Sequence, residues 1–285
     1  MKQKNDKTYL YDRLIGEGWF KSEKDALPWV MSGKVLVDDR QVLSGKERIP
    51  ADGAIRVKEY YKKKYVNKGG LKLQKALSDF GVDPQGKVAL DCGASTGGFT
   101  DCLLQHGAKL VYAVDAGHGM LAGKLLINDK VVNMENTNIS DGLLKNLDPR
   151  PELATLDLSY LSLKTGVMEC RDIMKGSGII VALIKPIVEV ASATIKRNGQ
   201  VNQRGLIIHV LDDLCGFFVD NSFDITGLTH SPIRGNNGAL EYFACLRMGD
   251  GPRASINNSY RSLYDGMISE SFALGSFDKN NIAQI

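Results

Sequence analysis

The sequence predicts an α/β protein in which a small α+β domain precedes a larger, doubly wound parallel sheet. From about residue 72 onward, apolar strands alternate with helices, a rhythm that is typical of parallel sheets. The first part of the chain instead shows two short helices and a β-hairpin. A chain of 285 residues is long enough for both domains. We expect the following division: small domain 1–60, basic linker 61–71, sheet domain 72–249 and tail 250–285.

The small domain begins with two predicted helices. Residues 8–18 have the apolar spacing of one helix face. Ser22 and Asp25 form an S-x-x-D capping box that opens a second helix, which ends near Gly33. The segments KVLV and AIRVKE, with the turn DDR after the first, then predict the strands of a small sheet.

The sheet domain alternates helices and strands in order. A helix at 72–80 leads to a strand at 87–91, a glycine-rich turn and a helix that runs through Gln105. A strand at 110–115 and a helix near 119–127 follow. Further strands are predicted at 131–135, 152–159, 178–185 and 239–247. The tail is polar and irregular, with at most one docked helix expected there.

Charge is distributed unevenly along the chain. The whole sequence has a net charge of +3, but residues 1–75 hold 18 Lys/Arg against 10 Asp/Glu, a net of +8. The remainder therefore carries −5. A basic N-terminal part, residues 1–75, joined to a mildly acidic remainder indicates that the N-terminal part contacts a polyanion. An ordinary lysine-rich solvated surface is the competing interpretation.

The segment at 56–75 is the most basic part of the chain. It has eight Lys/Arg against one acid, and Tyr60, Tyr61 and Tyr65 are interleaved with them. Basic side chains suit phosphates, and aromatic faces can stack on unpaired bases. The alternative is a solvated linker without a ligand.

Cysteine usage and hydropathy indicate a soluble, cytoplasmic protein. The five cysteines form no C-x-x-C pair, which favours buried reduced thiols over disulfides or a metal site. The first residues lack the apolar stretch of a signal peptide. The longest apolar run, at 178–184, is far shorter than the roughly 18 residues of a membrane-spanning helix. We therefore expect no metal and no stable membrane insertion.

The glycine-rich turn DCGASTGGF allows two interpretations. Its G-x-S-x-G core fits the nucleophile elbow of α/β-hydrolases, with Ser95 as the nucleophile. Asp157 with His209 or His230 could then complete a triad, although no oxyanion-hole segment precedes the elbow. The second interpretation is a turn whose backbone approaches a nucleotide-like cofactor.

The position of a second acid favours the cofactor interpretation. Asp115 ends the next strand, 24 residues after Asp91, where an acid can bind a ribose hydroxyl. An acid ahead of the first glycine, Gly93, is the form found in S-adenosylmethionine-dependent methyltransferases rather than in NAD enzymes. Ser95 would then belong to the wall of a pocket.

Several segments together resemble a known family. YVNKGGLKLQKAL, LDCGASTGGFTDCLLQHGA, VYAVDAGHGMLAGKL, ENTNIS, LDLSYLSL, LIKP and SPIRGNNGALEYF occur in this order. They resemble the hemolysin A (TlyA-type) proteins, which are FtsJ-like ribosomal RNA 2′-O-methyltransferases. SEKDALPWVMSGKVLVDDRQV resembles the S-four-type RNA-binding module that such proteins carry at their N-terminus. The likeness runs from about residue 5 to 248.

The resemblance implies a Rossmann-like methyltransferase sheet preceded by a small RNA-binding domain, with S-adenosylmethionine as cofactor and ribosomal RNA or a ribosomal subunit as partner. It implies a catalytic tetrad: Lys72, Asp157, Lys185 and Glu241. Lys185 is the candidate general base for a ribose hydroxyl, and the two acids would orient the two lysines. Individually, each of the four is as typical of an ordinary ion pair; only the set indicates catalysis.

The remaining candidate residues fall into two groups. Those expected to contact the cofactor are Asp91, Gly93, Ser95, Thr96, Gly97, Gly98, Phe99, Asp115 and Asn138. Those expected to contact RNA phosphates are Lys21, Lys24, Lys34, Lys62, Lys63, Lys64 and Lys68.

The sequence also departs from the family pattern at several positions: Met120, Gly123, Leu126, Asn136, Ile187 and Val188. These departures concern the expected substrate surface and leave the tetrad and the glycine turn intact. Two alternatives to the enzyme stay open at this point. One is an RNA-binding protein that retains the fold without catalysis, and the other is a membrane-active hemolysin.

Overall fold

The structure is a computed structural model that describes residues 7–57, 64–190, 203–249, 256–257 and 259–274. The chain divides between Lys62 and Lys63 into two compact units. The first holds residues 7–57, and the second holds the remaining described residues. Each unit buries a hydrophobic core of its own.

The first unit contains the two helices that the sequence predicts, α1 (Leu10–Gly16) and α2 (Glu23–Met31). The predicted capping box is confirmed, because the Ser22 side chain accepts a hydrogen bond from the backbone N–H of Asp25 at 3.3 Å. The core beneath the helices is mainly aliphatic and includes Leu10, Leu14, Ala26, Val30, Val35 and Ile49.

Short antiparallel strands complete the first unit. They are β1 (Lys7–Tyr9), β2 (Val35–Val37), β3 (Arg40–Gln41), β4 (Arg48–Pro50) and β5 (Ile55–Val57). β1 pairs with β4, and β2 pairs with both β3 and β5. Asp38 and Asp39 form the predicted turn between β2 and β3. Their φ angles of 49° and 61° are left-handed, a conformation that aspartate tolerates in tight hairpins.

The second unit is built on a sheet of seven strands, counted over the described residues. They are β6 (Val88–Cys92), β7 (Leu110–Val114), β8 (Val131–Met134), β9 (Leu153–Leu156), β10 (Gly178–Ile184), β11 (Asp224–His230) and β12 (Tyr242–Met248). Their order across the sheet is β11-β12-β10-β9-β6-β7-β8. The five strands from β10 to β8 run parallel. This confirms the α/β fold and brings the strand ends to one edge, called here the carboxyl edge.

Helices cover both faces of this sheet. They are α3 (Gly69–Phe80), α4 (Gly98–Gln105), α5 (Gly123–Leu126), α6 (Leu163–Ile173), α7 (Pro186–Glu189), α8 (Arg204–Asp220) and α9 (Tyr264–Ala273). On one face, Leu77 of α3 and Leu103 of α4 pack into one core. On the other, Leu211 of α8 and Ile268 of α9 pack into a second core.

The far end of the sheet differs from the prediction. The sequence predicts a parallel sheet, whereas β12 runs antiparallel to both β10 and β11. The physical reason is the connection from β11 to β12, residues 231–241, which is short for a parallel crossover and suits an antiparallel return. β11, α6 and α8 were not among the predicted elements.

The helix predicted near 119–127 is reduced to the single turn α5. The backbone N–H groups of Gly119, Met120 and Leu121 donate to the Glu135 carboxylate at 2.9, 2.8 and 3.0 Å. Because these amides bind a side chain, the segment forms an anion-binding loop instead of the first turn of a helix.

The end of the expected linker belongs to the second unit. Tyr65 is 2% exposed and its hydroxyl donates to Gln74 of α3 at 3.0 Å, so its ring is not available for stacking on a base. The backbone N–H of Val66 donates to the Asp101 carboxylate at 2.8 Å. Tyr60 and Tyr61 lie outside the described residues.

All five cysteines are buried and free, as the sequence predicts. In the part of the chain that the structure describes, no helix has the length and apolarity to cross a membrane.

Candidate active site

A cavity of about 620 Å³ in the second unit opens at the carboxyl edge of the sheet. Walls come from the ends of β6, β7, β9 and β10, from α3, and from the residue before β12. All four residues of the predicted tetrad line it: Lys72, Asp157, Lys185 and Glu241. Positions separated by up to 169 residues in sequence therefore meet at one surface.

The tetrad forms two ion pairs. Lys72 Nζ lies 2.5 Å from Glu241 Oε2, and Lys185 Nζ lies 2.5 Å from Asp157 Oδ1. Lys185 also donates to Ser159 Oγ at 3.0 Å. The side chains of all four residues are at most 26% exposed. Two cations and two anions so close together keep the local charge near zero, which limits the cost of burying them.

Glu241 is the most enclosed member of the tetrad, at 6% exposure. Burial raises the pKa of its carboxyl, while the nearby Lys72 ammonium acts in the opposite direction. The Lys72 ammonium therefore favours the charged form of the Glu241 carboxyl. This pairing fixes the lysine head group at the cavity wall.

The glycine turn lies directly against the end of β9. Gly93 has a φ of 84°, and a Cβ there would lie 2.5 Å from the backbone oxygen of Asp157. Only glycine fits without a shift of one of the two strand ends. The turn that forms one wall of the cavity is therefore in contact with a residue of the tetrad.

Asp115 organises the same wall from the end of β7. Its carboxylate accepts hydrogen bonds from the backbone N–H groups of Ser95 at 2.8 Å and Gly117 at 2.7 Å. Ser95 has a left-handed φ of 50°, which this hydrogen bond helps to hold. Ser95, Asp115 and Asn138 line the cavity with the tetrad.

Asp91 takes a different place from the one expected of a cofactor contact. It is fully buried behind the turn, and its carboxylate accepts hydrogen bonds from the hydroxyls of Thr100 at 2.6 Å and Thr155 at 2.9 Å. Asp91 does not line the cavity. Its contacts instead tie the end of β6 to α4 and to β9.

Asp91 also makes the stability of the fold depend on pH. Burial raises its pKa to about 6 from an ordinary 3.8, with the two threonine hydroxyls acting against the rise. The folded protein therefore holds this proton more tightly than the unfolded chain. The stabilisation from protonated Asp91 is complete below about pH 4 and is lost as the pH rises through about 6.

We expect the substitution Asp91→Asn to remove this dependence. Asparagine keeps a similar shape and can still bond both threonines. Relative to the wild type, the variant should gain up to about 3 kcal/mol of unfolding free energy between pH 4 and pH 7. Urea unfolding at several pH values measures the difference. A difference that stays constant across this range would contradict the assignment.

The other predicted cofactor residues are spread around the turn. Gly97 has a φ of 93° and packs against Leu125 of α5. The Thr96 hydroxyl accepts a hydrogen bond from Asn67 at 2.6 Å. Gly98 and Phe99 line a second cavity of about 320 Å³, which shares Lys72 and Asp157 with the first.

The hydrolase interpretation fails on geometry. No histidine is among the described residues that line the cavity beside Ser95. His230 is bonded elsewhere, with Nδ1 2.9 Å from the Ser231 carbonyl oxygen and Nε2 3.2 Å from Glu270. His209 is an exposed residue of α8. Among the described residues, Ser95 therefore has no histidine beside it to complete a triad.

The lysines expected to bind RNA divide between the two units. In the first unit, Lys21 precedes α2 and Lys24 lies in its first turn, and both are exposed. Lys34 Nζ lies 5.4 Å from the centre of the Trp29 ring. In the second, Lys64 donates to Gln74 at 2.8 Å, and Lys68 precedes α3 and lines the smaller cavity. Lys62 and Lys63 lie outside the described residues.

Several residues of the site were not predicted. Tyr160 lines the cavity and is fully exposed, and Asn236 lines both cavities from the loop between β11 and β12. Glu135 orders the loop that carries Met120 into the cavity wall; three backbone N–H groups lower its pKa to about 2. The sequence segment ENTNIS contains Glu135 but does not indicate that Glu135 orders a loop. The partners of Glu135 are backbone amides, which any residue type except proline can supply.

Comparison with known proteins gives consistent results. Residues 65–248 match the FtsJ-like methyltransferase family. The chain is 35% identical to Hemolysin A from Brachyspira hyodysenteriae, over 82% of this chain and 98% of that protein. It is 31% identical to the 16S/23S rRNA (cytidine-2'-O)-methyltransferase TlyA from Mycobacterium tuberculosis, over 82% and 87%. A solved structure from Streptococcus thermophilus that carries the name hemolysin superposes with a TM-score of 0.69 at 33% identity, over 94% and 96%.

Proposed function

Because the chain belongs to the family of FtsJ-like methyltransferases, we propose that it transfers a methyl group from S-adenosylmethionine to a ribose 2′-hydroxyl of ribosomal RNA. The observation that carries this proposal is the meeting of Lys72, Asp157, Lys185 and Glu241 beside the glycine turn. The name of the related Mycobacterium tuberculosis protein supports the choice of atom and substrate.

The residues at the carboxyl edge fit S-adenosylmethionine. A volume of about 620 Å³ lies within the usual range for sites of this kind of ligand. The absence of a side chain at Gly93 keeps the turn close to the end of β9, and Asp115 presents a carboxylate at the position suited to ribose hydroxyls. Asn138 and Ser95 offer further polar groups on the same wall. Asp91 supports the turn from behind.

When bound, S-adenosylmethionine supplies an electrophilic methyl group on a sulfonium centre. Lys185, in its neutral form, accepts the proton of the ribose hydroxyl as the hydroxyl oxygen attacks. Asp157 and Ser159 hold the Lys185 amine in place, at 2.5 and 3.0 Å from its Nζ. Lys72, fixed by Glu241, places a positive charge beside the developing alkoxide. Alignment of hydroxyl and methyl supplies much of the rate.

RNA is the substrate that the surrounding surface suits. Tyr160 presents a fully exposed ring at the cavity wall, where an unstacked base can lie against it. Lys68 lines the smaller cavity next to the tetrad, where phosphates of the same strand can lie. Lys21, Lys24, Lys34 and Lys64, together with Lys62 and Lys63, add basic groups for the rest of the substrate. A ribosomal substrate places the reaction in the cytoplasm.

The direct test is transfer of label from S-adenosylmethionine carrying a radioactive methyl group. Purified protein is incubated with small subunits, large subunits and protein-free ribosomal RNA in separate reactions. We expect label in the RNA of at least one of them. Binding of S-adenosylmethionine without transfer to any of the three would instead favour a non-catalytic RNA-binding protein.

A further inference from the structure

Helix α9, the last helix of the described residues, makes several polar contacts with the strands that frame Glu241. The hydroxyl of Tyr242, the residue after Glu241, lies 2.8 Å from Ser271 Oγ. Ser271 donates its own hydrogen to the Ile268 carbonyl at 2.7 Å, so Tyr242 is the donor to Ser271. Both residues are completely buried. His230, at the end of β11, contacts Glu270 at 3.2 Å.

The end of the same helix is bound by Arg234. Its guanidinium donates to the carbonyl oxygens of Leu274 at 3.0 Å and Phe272 at 3.4 Å. These are among the last carbonyls of the helix, which have no partner within it. A third bond goes to the carbonyl of Gly238 at 3.1 Å. One side chain thus joins the helix end to the loop between β11 and β12.

That loop packs directly on the tetrad. A Cβ at Gly235, the residue after Arg234, would overlap the carboxylate of Glu241. The backbone N–H of Ser231 donates to the Glu241 carbonyl at 2.9 Å. Asn236 lines both cavities. The wall behind Glu241 is therefore formed by a loop whose position Arg234 sets.

We propose that α9 is a positioning element for the tetrad, and that Arg234 is the positioning residue through which it acts on Glu241 and, through Glu241, on Lys72. The inference rests on the proposed methyl transfer. It assigns a role to a segment for which the sequence offers none. The helix contributes no group to the reaction; it holds the loop that encloses the Glu241 carboxylate.

The test compares two arginines that bind the same helix. Arg234→Met removes the bonds to the helix end and the loop. Arg204→Met is the matched control, because Arg204 binds α9 at Asp265 (2.5 Å) and Ser269 (3.4 Å) on the exposed side. For each variant we measure kcat for methyl transfer, the Kd for S-adenosylmethionine, the Kd for RNA, the melting temperature, and amide hydrogen exchange in residues 231–241.

Arg234→Met should lower kcat by at least about tenfold, with the cofactor Kd nearly unchanged, because a small displacement of positioned groups is costly. Exchange at Ser231 and Gly235 should become faster in the absence of RNA. Arg204→Met should leave kcat and these two amides as in the wild type. A loss of RNA affinity alone, at unchanged kcat and exchange, would show that Arg234 binds substrate and would overturn the inference.

Two further outcomes distinguish a failure of the proposed function from a failure of this inference. If the wild type transfers no methyl group, the proposed function fails, while the exchange measurement still reports whether Arg234 holds the loop. If the wild type is active and both variants lose kcat in proportion to their loss of thermal stability, the helix is merely structural and the inference fails. Should Arg234→Met not fold, Ser271→Ala replaces it. Removing the partner of the Tyr242 hydroxyl should then slow kcat without weakening cofactor binding.

Discussion

Replacing Lys185 by arginine should abolish most of the methyl transfer while leaving the fold intact. Arginine keeps the positive charge and can still pair with Asp157, but a guanidinium does not give up its proton and cannot act as a base. We expect kcat to fall by roughly 10²–10⁴-fold, the usual contribution of general-base catalysis. Single-turnover transfer from labelled S-adenosylmethionine to the RNA measures the effect.

Lys185→Ala should lose activity to a similar extent, with some loss of stability, because Asp157 then keeps a largely buried carboxylate without its cation. The matched control is Lys164→Ala, which removes a lysine that pairs with Asp213 at 2.7 Å outside the cavity. That variant should transfer methyl groups at the wild-type rate. An arginine variant at position 185 with near wild-type kcat would show that Lys185 is not the base.

The second large effect is expected at Gly93. In Gly93→Ala, the new Cβ would lie 2.5 Å from the Asp157 backbone oxygen, so the turn or the end of β9 must move. Both lie in the cavity wall, and we expect affinity for S-adenosylmethionine to fall by more than about tenfold, since close backbone approach is what glycine provides there. Isothermal titration calorimetry measures the change directly.

Gly86→Ala is the control for Gly93→Ala. It introduces an alanine in the left-handed backbone conformation without a steric clash, so it measures the cost of that conformation alone. Gly86 has a φ of 73°, close to the 84° of Gly93, but no atom lies within 4 Å of its added Cβ. The backbone strain alone costs about 1–2 kcal/mol of stability. Gly86→Ala should therefore melt earlier yet bind cofactor normally. Equal losses of affinity in both variants would refute the role of the contact between turn and β9.

Much of the architecture could be predicted from local patterns. The alternation of strands and helices predicts the strands that end at the cavity. The spacing of 24 residues from Asp91 draws attention to Asp115, which lines the cavity. The four tetrad positions came only from resemblance, since no local spacing links Lys72 to Glu241 across most of the chain. Their meeting depends on strand order, which is a property of the whole sheet.

Other features had no signal in the sequence. β12 is antiparallel because the connection that leads to it from β11 is short. The length of this connection becomes informative only once β11 and β12 are known to be neighbours in the sheet. Asp91 reads as a cofactor contact because it precedes the glycine, yet Thr100 and Thr155 occupy both of its oxygens. From the sequence alone, Arg234 resembles an ordinary surface cation in a loop. Its partners are backbone carbonyl groups at the end of a helix distant in sequence, and no sequence pattern indicates such contacts.

The most direct test of the tetrad as a ribose-methylating centre is the chemical position of the transferred methyl group. RNA labelled by the wild-type protein is digested completely with alkali, which cleaves next to every free 2′-hydroxyl. We predict that the label appears in an alkali-resistant dinucleotide, and that Lys185→Arg gives none. Label recovered on a base of an ordinary mononucleotide would contradict the account.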